Sequence, residues 1–512
     1  MSVTPDQAAE QKTPFDVRQL AVVILVTAVM GLGVLYAWKR GPSFTLSFSS
    51  QVSLVYWPLG SILILALGWS SRYFPLVAGL FYGFLPLAQA AGDKYFPATQ
   101  GDVVLTFEMA LGLPLILCGF LGPAARGPRY RPLHPTLKLG WLLILTSAII
   151  STIVAISPSV ALGTLLARFV VPILVTLGTF RRLRSLDDYK IVWLGFVAGI
   201  LLVTAFNVRR IVFGVVPWYA TGIHQRYLGA SLSFSFPALF IIGPALWYGH
   251  ALAVRRSPVH GVPWIIAAVT LGLLFWLGAH RGPMIAFGLI VLWWLPRHSL
   301  RLLGGRGLFA IILLGLTAVV VANYLLGRTA ADTLLFIDRL KELATEGVKG
   351  TSRYPLWMEA LAYWKQEPFF GIGLNNWTIK NATFESCHSA FFGILIDTGL
   401  LGALAFAVLF GATLWFSRKS YLAGLNYIDR EFVAGCRASW VVALLLMFAA
   451  APFTSGQLKN AAFIYMVFFY PLLIMTVQAR HAVARSVVPL ASRPWQPGDA
   501  VVPTGWSMQT GP

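Results

Sequence analysis

Long apolar runs with almost no charged residues recur along nearly the whole sequence. A helix needs about 20 such residues to cross roughly 30 Å of hydrocarbon, and most of the runs reach this length. Hydrophobic residues make up 57% of the 512 positions and charged residues only 11%, which is far from the composition of soluble domains. The sequence therefore predicts an all-α, polytopic integral membrane protein.

We predict about fourteen transmembrane helices. The tenth run is short enough to be re-entrant, which would invert the orientation of everything after it. The predicted spans are 18–37, 52–69, 74–91, 103–121, 139–156, 160–178, 190–207, 227–251, 262–279, 283–296, 307–326, 389–416, 437–452 and 461–478.

Basic residues follow the even-numbered spans, which argues against that inversion. Connections rich in Lys and Arg stay in the cytoplasm, so both termini are predicted to be cytoplasmic. The formal charge of +20 is thus mainly a topology signal, and we do not expect nucleic-acid binding. These residues are Arg126, Arg129, Arg131, Lys138, Arg181, Arg182, Arg184, Lys190, Arg255, Arg256, Arg297, Arg301, Arg306, Arg418, Lys419, Arg430, Arg437, Arg480 and Arg485.

The spans divide the chain into five parts. Residues 1–17 are polar and lack the features of a signal peptide, so we predict a cytoplasmic N-terminal segment and an uncleaved first span. Transmembrane helices 1–11 occupy 18–326, and helices 12–14 occupy 389–478. Residues 327–388 form one long periplasmic loop, and the proline-rich tail, 479–512, is predicted to be disordered.

The long loop contains patterns typical of helices. Asp332 is a suitable N-cap for a first helix, and a second helix is predicted to begin near Pro355 and to stop at Pro368. Trp357, Leu361 and Trp364 share one face of this second helix. Loops of this length usually have a function, although this one could also be a simple connection.

The same loop resembles a known family. The stretch "TSRYPLWMEALAYWKQEPFFGIG", followed by a histidine and by "GLLG", is similar to the signature region of the O-antigen ligase and O-antigen polymerase family. The resemblance implies a GT-C-like membrane glycosyltransferase in the bacterial inner membrane. Such an enzyme transfers a glycan from undecaprenyl diphosphate to an acceptor hydroxyl at the periplasmic face.

The resemblance also implies the site residues and partners. The family histidine corresponds to His388, although Ser389 follows it where many relatives have asparagine. Arg353 precedes the loop helix, Arg281 lies in "AHRGP", and Arg226 opens "HQRYLGASLSF". The implied partners are an undecaprenyl-diphosphate-linked oligosaccharide, a glycan or lipid-linked acceptor, membrane lipid, and a flippase and chain-length regulator of the same pathway. No cofactor is implied.

The residues themselves suit this chemistry. By the predicted topology, Arg226, Arg281 and His388 all lie at the periplasmic mouths of their helices. Guanidinium binds phosphate through two parallel hydrogen bonds, and an imidazole, with an ordinary pKa of about 6.5, suits a general base. The alternatives are that the arginines only anchor helices at the interface and that water satisfies His388. A thiol nucleophile at Cys387 is not implied by the family.

Two further features bear on the site. Arg168 lies in the middle of a predicted span, where a charge is costly and usually pairs or lines a cavity. Asp93, Asp102 and Glu108 are acidic residues near one predicted periplasmic connection, but their spacing is loose for a metal site. We therefore predict a metal-independent inverting reaction, in which arginines take the place of a metal.

Other functions remain open. A transporter or flippase for the same lipid would also have many spans and interfacial arginines, but the sequence lacks the internal repeats or paired broken helices that transporters usually show. Within the enzyme class, fourteen spans favour a polymerase over a ligase, by resemblance alone. A ligase acting on lipid A-core and a protein O-oligosaccharyltransferase are the alternatives.

Overall fold

The computed structural model describes ten parts of the chain. They are residues 60–95, 107–122, 135–183, 185–212, 229–277, 281–302, 354–377, 389–418 and 425–448, and a short piece comprising 470, 471, 473 and 474. Every regular element in them is helical, as predicted. The first and eleventh predicted spans, the loop helix predicted near Asp332 and the tail after 479 lie outside the described residues.

The helices follow one another in the order of the predicted spans. Two of them, α5 (Pro158–Leu165) and α6 (Val171–Arg182), are joined by a π-helical turn, Leu166–Val170, into one continuous helix. The bounds are α1 60–68, α2 Phe74–Tyr95, α3 Phe107–Leu121, α4 Pro135–Ile153, α5 Pro158–Leu165, α6 Val171–Arg182, α7 Leu186–Val212, α8 Gly229–Arg255, α9 Pro258–Leu277, α10 Arg281–Leu302, α11 Tyr354–Gln366, α12 Ala390–Phe416 and α13 Tyr427–Phe448.

Four of these helical stretches are long and apolar enough to cross a membrane. They are Pro135–Ile153, Pro158–Arg182, Ala238–Arg255 and Ala390–Phe416. Shorter apolar stretches occur in α2, α3 and α9. The protein is therefore an all-helical membrane protein in the part that the structure describes, and the total of fourteen spans stays a prediction.

Several helices are longer than the apolar runs from which they were predicted, and α10 and α13 differ in ways that matter here. Helix α10 has 22 residues rather than the 14 of its run, because it continues through Arg297 and His298. At about 1.5 Å per residue it is roughly 33 Å long, enough for a full span. Helix α13 begins at Tyr427, ten residues before the predicted 437. The apolar run missed this part because the first turns contain the charged residues Asp429 and Glu431.

The helices cross at glycines. Gly79 and Gly83 of α2 face Gly195 and Gly199 of α7, and a methyl group on Gly83 would lie only 2.8 Å from Gly199 Cα. Other helix pairs meet in the same way, with Gly119 against Gly178, Gly243 against Gly435, and Gly249 against Gly261. Small residues at the crossing points are typical of membrane helices, because lipid gives no hydrophobic force between them and close contact must supply the attraction.

Charged residues gather at one end of the bundle. Lys190 Nζ lies 2.5 Å from Asp429 Oδ1, which joins the start of α7 to the start of α13. Arg297 Nη2 lies 3.0 Å from Glu431 Oε1, and Arg182 Nη2 donates to the carbonyl oxygen of Trp69 at 2.9 Å. All of these residues belong to connections predicted to be cytoplasmic, so the fold brings these connections together, as the charge pattern requires.

The opposite end carries the loop helix α11 and the turn between α4 and α5. Both belong to connections predicted to be periplasmic. The chain that follows α11 contacts the turn directly, through a hydrogen bond between Ile156 and Ile372. We call this the loop end of the bundle. Helix α10 starts here, since Arg297 near its other end is about 24 Å further along the helix axis.

Candidate functional site

Helix α11 packs across the start of α12. Pro355 stands in its first turn, where proline suits a helix, and it ends at Gln366, two residues before Pro368, as predicted. Its buried face consists of Leu356, Trp357 and Ala360. The indole of Trp357 stacks on the ring of Phe392 in α12, with 5.7 Å between ring centroids. The long loop therefore folds onto the transmembrane bundle.

Residues 368–377, which we call the docking segment, follow α11. Trp364 Nε1 donates to the Pro368 carbonyl at 3.1 Å, which turns the chain as the helix ends. Gly371 and Gly373 then have φ values of 70° and 106°, a region that side chains strongly disfavour. The "GIG" of the family signature thus forms a tight turn that lies against the membrane helices.

The docking segment fills a break in α12. At Gly399 the backbone leaves the helical conformation, with φ 65° and ψ −161°, so nearby peptide groups lose their helical partners. Ile372 N–H donates to Ile396 O at 2.8 Å, and Leu400 N–H donates to Pro368 O at 2.9 Å. A side chain on Gly399 would overlap the carbonyl of Phe369. The loop backbone therefore completes the hydrogen bonding of the broken helix.

The other side of the docking segment contacts the turn between α4 and α5. Ile156 N–H donates to Ile372 O at 3.3 Å, and Ser157 N–H donates to Asn376 Oδ1 at 2.6 Å. Helix α4 also reaches α12 directly, because the hydroxyl of Ser151 donates to the carbonyl of Asp397. The loop, α4 and α12 therefore form one hydrogen-bonded assembly at the loop end.

Ser389 begins α12. Its hydroxyl oxygen accepts a hydrogen bond from Phe392 N–H at 3.4 Å, its φ and ψ are extended, and its side chain is buried. These are the properties of a helix N-cap, a position at which serine and asparagine are both favoured. Ser389 therefore has a structural role as the N-cap of α12.

Asp397 is a buried acidic residue that the sequence analysis did not identify. Its side chain lies in α12 two residues before the break, and it is 6% exposed. The other buried acidic residues in the described part of the chain, Asp429 and Glu431, lie at the opposite end of the bundle. Asp397 is thus the described buried carboxyl group closest to the docking segment.

Of the four predicted site residues, only Arg281 lies in the part of the chain that the structure describes. Arg281 is the first residue of α10, although its side chain is not described, and Arg353 and His388 immediately precede the described stretches that contain α11 and α12. His388, Arg353 and Arg226 lie outside the described residues. Helix N-termini favour anions, because their free N–H groups and dipole carry partial positive charge. The convergence of the four residues stays a prediction.

Arg168 occupies the π-helical turn between α5 and α6, ten residues into the candidate span Pro158–Arg182, and its side chain is partly buried. Single π-helical turns often occur at functional sites. Asp93 and Glu108 lie in α2 and α3 with undescribed side chains, and Asp102 lies outside the described residues. The metal-independent reaction therefore also stays a prediction.

A comparison with protein families shows which known family part of the chain is similar to. The family model described as O-antigen ligase matches residues 266–407, from the second half of α9 through α10, the long loop and much of α12. Through this region, which is less than a third of the 512 residues, the chain is similar to the O-antigen ligase family. The match includes Arg281, Arg353 and His388, whereas Arg226 lies before it. No curated protein and no solved structure matches the chain.

This match confirms the resemblance seen in the loop and indicates a membrane enzyme of the ligase or polymerase type. The sequence analysis did not identify Asn376, whose side chain bonds to the turn between α4 and α5. It also did not identify Asp397, which is buried in α12 near the docking segment. One signal was available for Asn376, since the asparagine pair in "GIGLNNW" directly follows the glycine turn, where asparagine often bonds to the backbone.

We expect Gly399→Ala to release the loop from α12, because the added methyl group has no space and the backbone conformation is strained. Lys365 is exposed at the end of α11 and is a trypsin site. In the variant, cleavage after Lys365 should become at least about tenfold faster as local opening becomes easier. The measurement is timed proteolysis in detergent.

Gly411→Ala on the same helix is the matched control, since an added methyl group there meets open space. Its cleavage rate should equal that of the wild type. Equal rates for all three proteins would contradict the docking of the loop at Gly399.

Proposed function

We propose that this chain is a polymerase of a surface polysaccharide, which joins glycans carried on undecaprenyl diphosphate at the periplasmic face of the bacterial inner membrane. The observation that carries the proposal is the O-antigen ligase match over residues 266–407. It coincides with the loop that docks into α12. The donor is the lipid-linked oligosaccharide, and the acceptor is a sugar hydroxyl of a second lipid-linked glycan.

In the proposed reaction, His388 acts as general base. Its imidazole takes the proton of the acceptor hydroxyl, and the resulting oxygen attacks the anomeric carbon of the donor sugar. The bond from that carbon to the diphosphate oxygen breaks on the opposite face, so the configuration inverts. Undecaprenyl diphosphate leaves with the bonding electron pair, and the new glycosidic bond forms.

Arg281, Arg226 and Arg353 are proposed to bind the diphosphate. Negative charge grows on the leaving oxygen during the reaction, so fixed positive charge aimed at that oxygen lowers the barrier. Each donor typically contributes about 3 kcal/mol. The start of α10 supports this role for Arg281, because the guanidinium and the helix N-terminus attract the same anion. No metal or other cofactor is required in this proposal.

A ligase is the second candidate, and the description of the matched family as O-antigen ligase favours it. It would transfer the finished glycan to lipid A-core, or to a protein in the case of an O-oligosaccharyltransferase. The surface glycan of a strain lacking the gene distinguishes the two. Loss of the polymerase should leave single repeats, whereas loss of a ligase should leave long chains that remain unattached.

We expect His388→Ala to remain folded and inserted but to lose transfer. General bases contribute about 10²- to 10⁴-fold to rates, so turnover by the purified enzyme with lipid-linked donor should fall by at least about 10²-fold. Elongation of the glycan, followed on a gel, is the measurement.

Near-normal turnover of the His388→Ala enzyme would contradict the role of His388 as general base.

The same assay is run in EDTA with the wild-type enzyme, because the proposed reaction needs no divalent cation. Wild-type activity that EDTA abolishes and magnesium or manganese restores would instead assign the diphosphate to a metal site near Asp93, Asp102 and Glu108.

We expect Arg281→Lys to lower kcat while donor KM changes little. Lysine keeps the charge but cannot form the two parallel hydrogen bonds of guanidinium. If the contact strengthens as the diphosphate leaves, its loss raises the barrier without weakening ground-state binding. Steady-state transfer against donor concentration measures both parameters.

The alternative role for Arg281 predicts a different result. Lysine anchors a helix at the membrane interface as well as arginine does, so a simple anchor would give wild-type kinetics in Arg281→Lys. Arg281→Ala, assayed beside it, shows how large an effect complete loss of the charge has.

A further inference from the structure

We propose that Asn376 is a positioning residue for the transfer reaction. Its buried side chain fastens the docking segment to the turn between α4 and α5, and so holds in place the chain that leads to His388. This inference rests on the proposed role of His388. It assigns to the α4–α5 turn, which lies outside the matched family region, a part in the site.

The amide of Asn376 is fully used. The side chain is 0% exposed, and its Oδ1 accepts the backbone N–H of Ser157 at 2.6 Å. Its Nδ2 donates to the carbonyl oxygen of Leu374 at 3.1 Å and to that of Ser157 at 3.5 Å. Only a group that carries both an acceptor and donors satisfies these partners, so neither alanine nor aspartate can replace it.

The docking segment is thereby held from two sides. Toward α12, Ile372 N–H bonds to Ile396 O, and toward the α4–α5 turn, Asn376 bonds to both backbone groups of Ser157. Gly373 also lies so close to Ala155 that a side chain at 373 would overlap it. Movement of the segment therefore requires that a buried amide lose its partners, which is costly.

The stretch that carries His388 lies between two fixed points. It begins after Trp377, which is 4% exposed and packs against Tyr363 with 5.8 Å between ring centroids. It ends at Ser389, the buried N-cap of α12. Asn376 is adjacent to the first of these points and His388 to the second. Because its side chain is buried, Asn376 acts through the chain and does not touch substrate.

Loss of the hydrogen bonds of Asn376 should change kcat more than it changes the KM for the donor. Misplacement of a catalytic group by about 1 Å can reduce a rate about 10²-fold. In the purified full-length enzyme, we expect Asn376→Ala and Asn376→Asp to lower kcat by about 10- to 100-fold. The KM for the lipid-linked donor should stay within about threefold, since the arginines proposed to bind the diphosphate are unchanged.

Asn426→Ala is the matched control. Asn426 also bonds to the backbone, with Oδ1 accepting from Asp429 N–H at 2.8 Å, but it lies at the opposite end of the bundle. The same substitution there should weaken a helix cap while leaving kcat at the wild-type value. Thermal unfolding in detergent, measured for all variants, separates a loss of turnover from a loss of folded protein.

The native Cys387, beside His388, provides a measurement that does not depend on activity. The other two cysteines, Cys118 and Cys436, are buried, so a membrane-impermeant maleimide reports mainly on Cys387. Its labelling rate should rise on the order of tenfold in Asn376→Ala, because local opening becomes easier. It should be unchanged in Asn426→Ala.

The outcomes are distinguishable. Unchanged Cys387 labelling in Asn376→Ala would contradict the proposal that Asn376 holds this stretch. A fall in kcat that Asn426→Ala shows as well would also contradict it. Wild-type behaviour of Asn376→Asp contradicts the need for the Nδ2 donors. If even the wild-type enzyme transfers no glycan, the proposed function fails, and the labelling rates alone decide whether Asn376 holds this stretch.

Discussion

The loop end of this protein depends on the pairing of backbone groups at the break in α12. Inside a membrane protein an unpaired peptide group has no water to bond with, and each one costs several kcal/mol. The conformation of Gly399 removes helical partners from groups on both sides of it. Residues 368–372 supply partners for Ile396, Leu400 and Leu401 through their own backbone. The broken helix and the docked loop are thus stable only together.

This dependence gives the loop a function beyond connecting two spans. Broken helices in membrane proteins commonly lie at binding sites, where irregular backbone is tolerated because other protein groups satisfy it. Here the irregular backbone belongs to the family signature itself, "PFFGIG". Catalysis by positioning requires that the reacting groups be held in place before substrate arrives. In the proposed function, the docking segment therefore supports the residues to which the chemistry is assigned.

The sequence predicted the helices well and their contacts poorly. Apolar runs located α4, the α5–α6 helix and α12, because hydrophobic length is a local property. The early start of α13 could not be predicted in this way, since its first turns carry the charged residues Asp429 and Glu431, whose partners Lys190 and Arg297 lie on other helices. Asn376 and Ser157 are 219 residues apart, and no local sequence pattern predicts a contact between them. The four-residue spacing of the glycines in α2 and in α7 is visible in the sequence. That these two helices pack against each other is not.

Ser389 shows how the structure changes the interpretation of a departure from the family pattern. Asparagine and serine differ in size and in hydrogen-bonding groups, and a chemical role for the side chain would not survive the exchange. An N-cap role does survive, because both side chains present an oxygen to the same free N–H groups. The hydroxyl of Ser389 makes this contact, and the side chain is buried. Ser389, the residue after the histidine, therefore serves to start α12, and in the proposed reaction only His388 of this pair is assigned a chemical role.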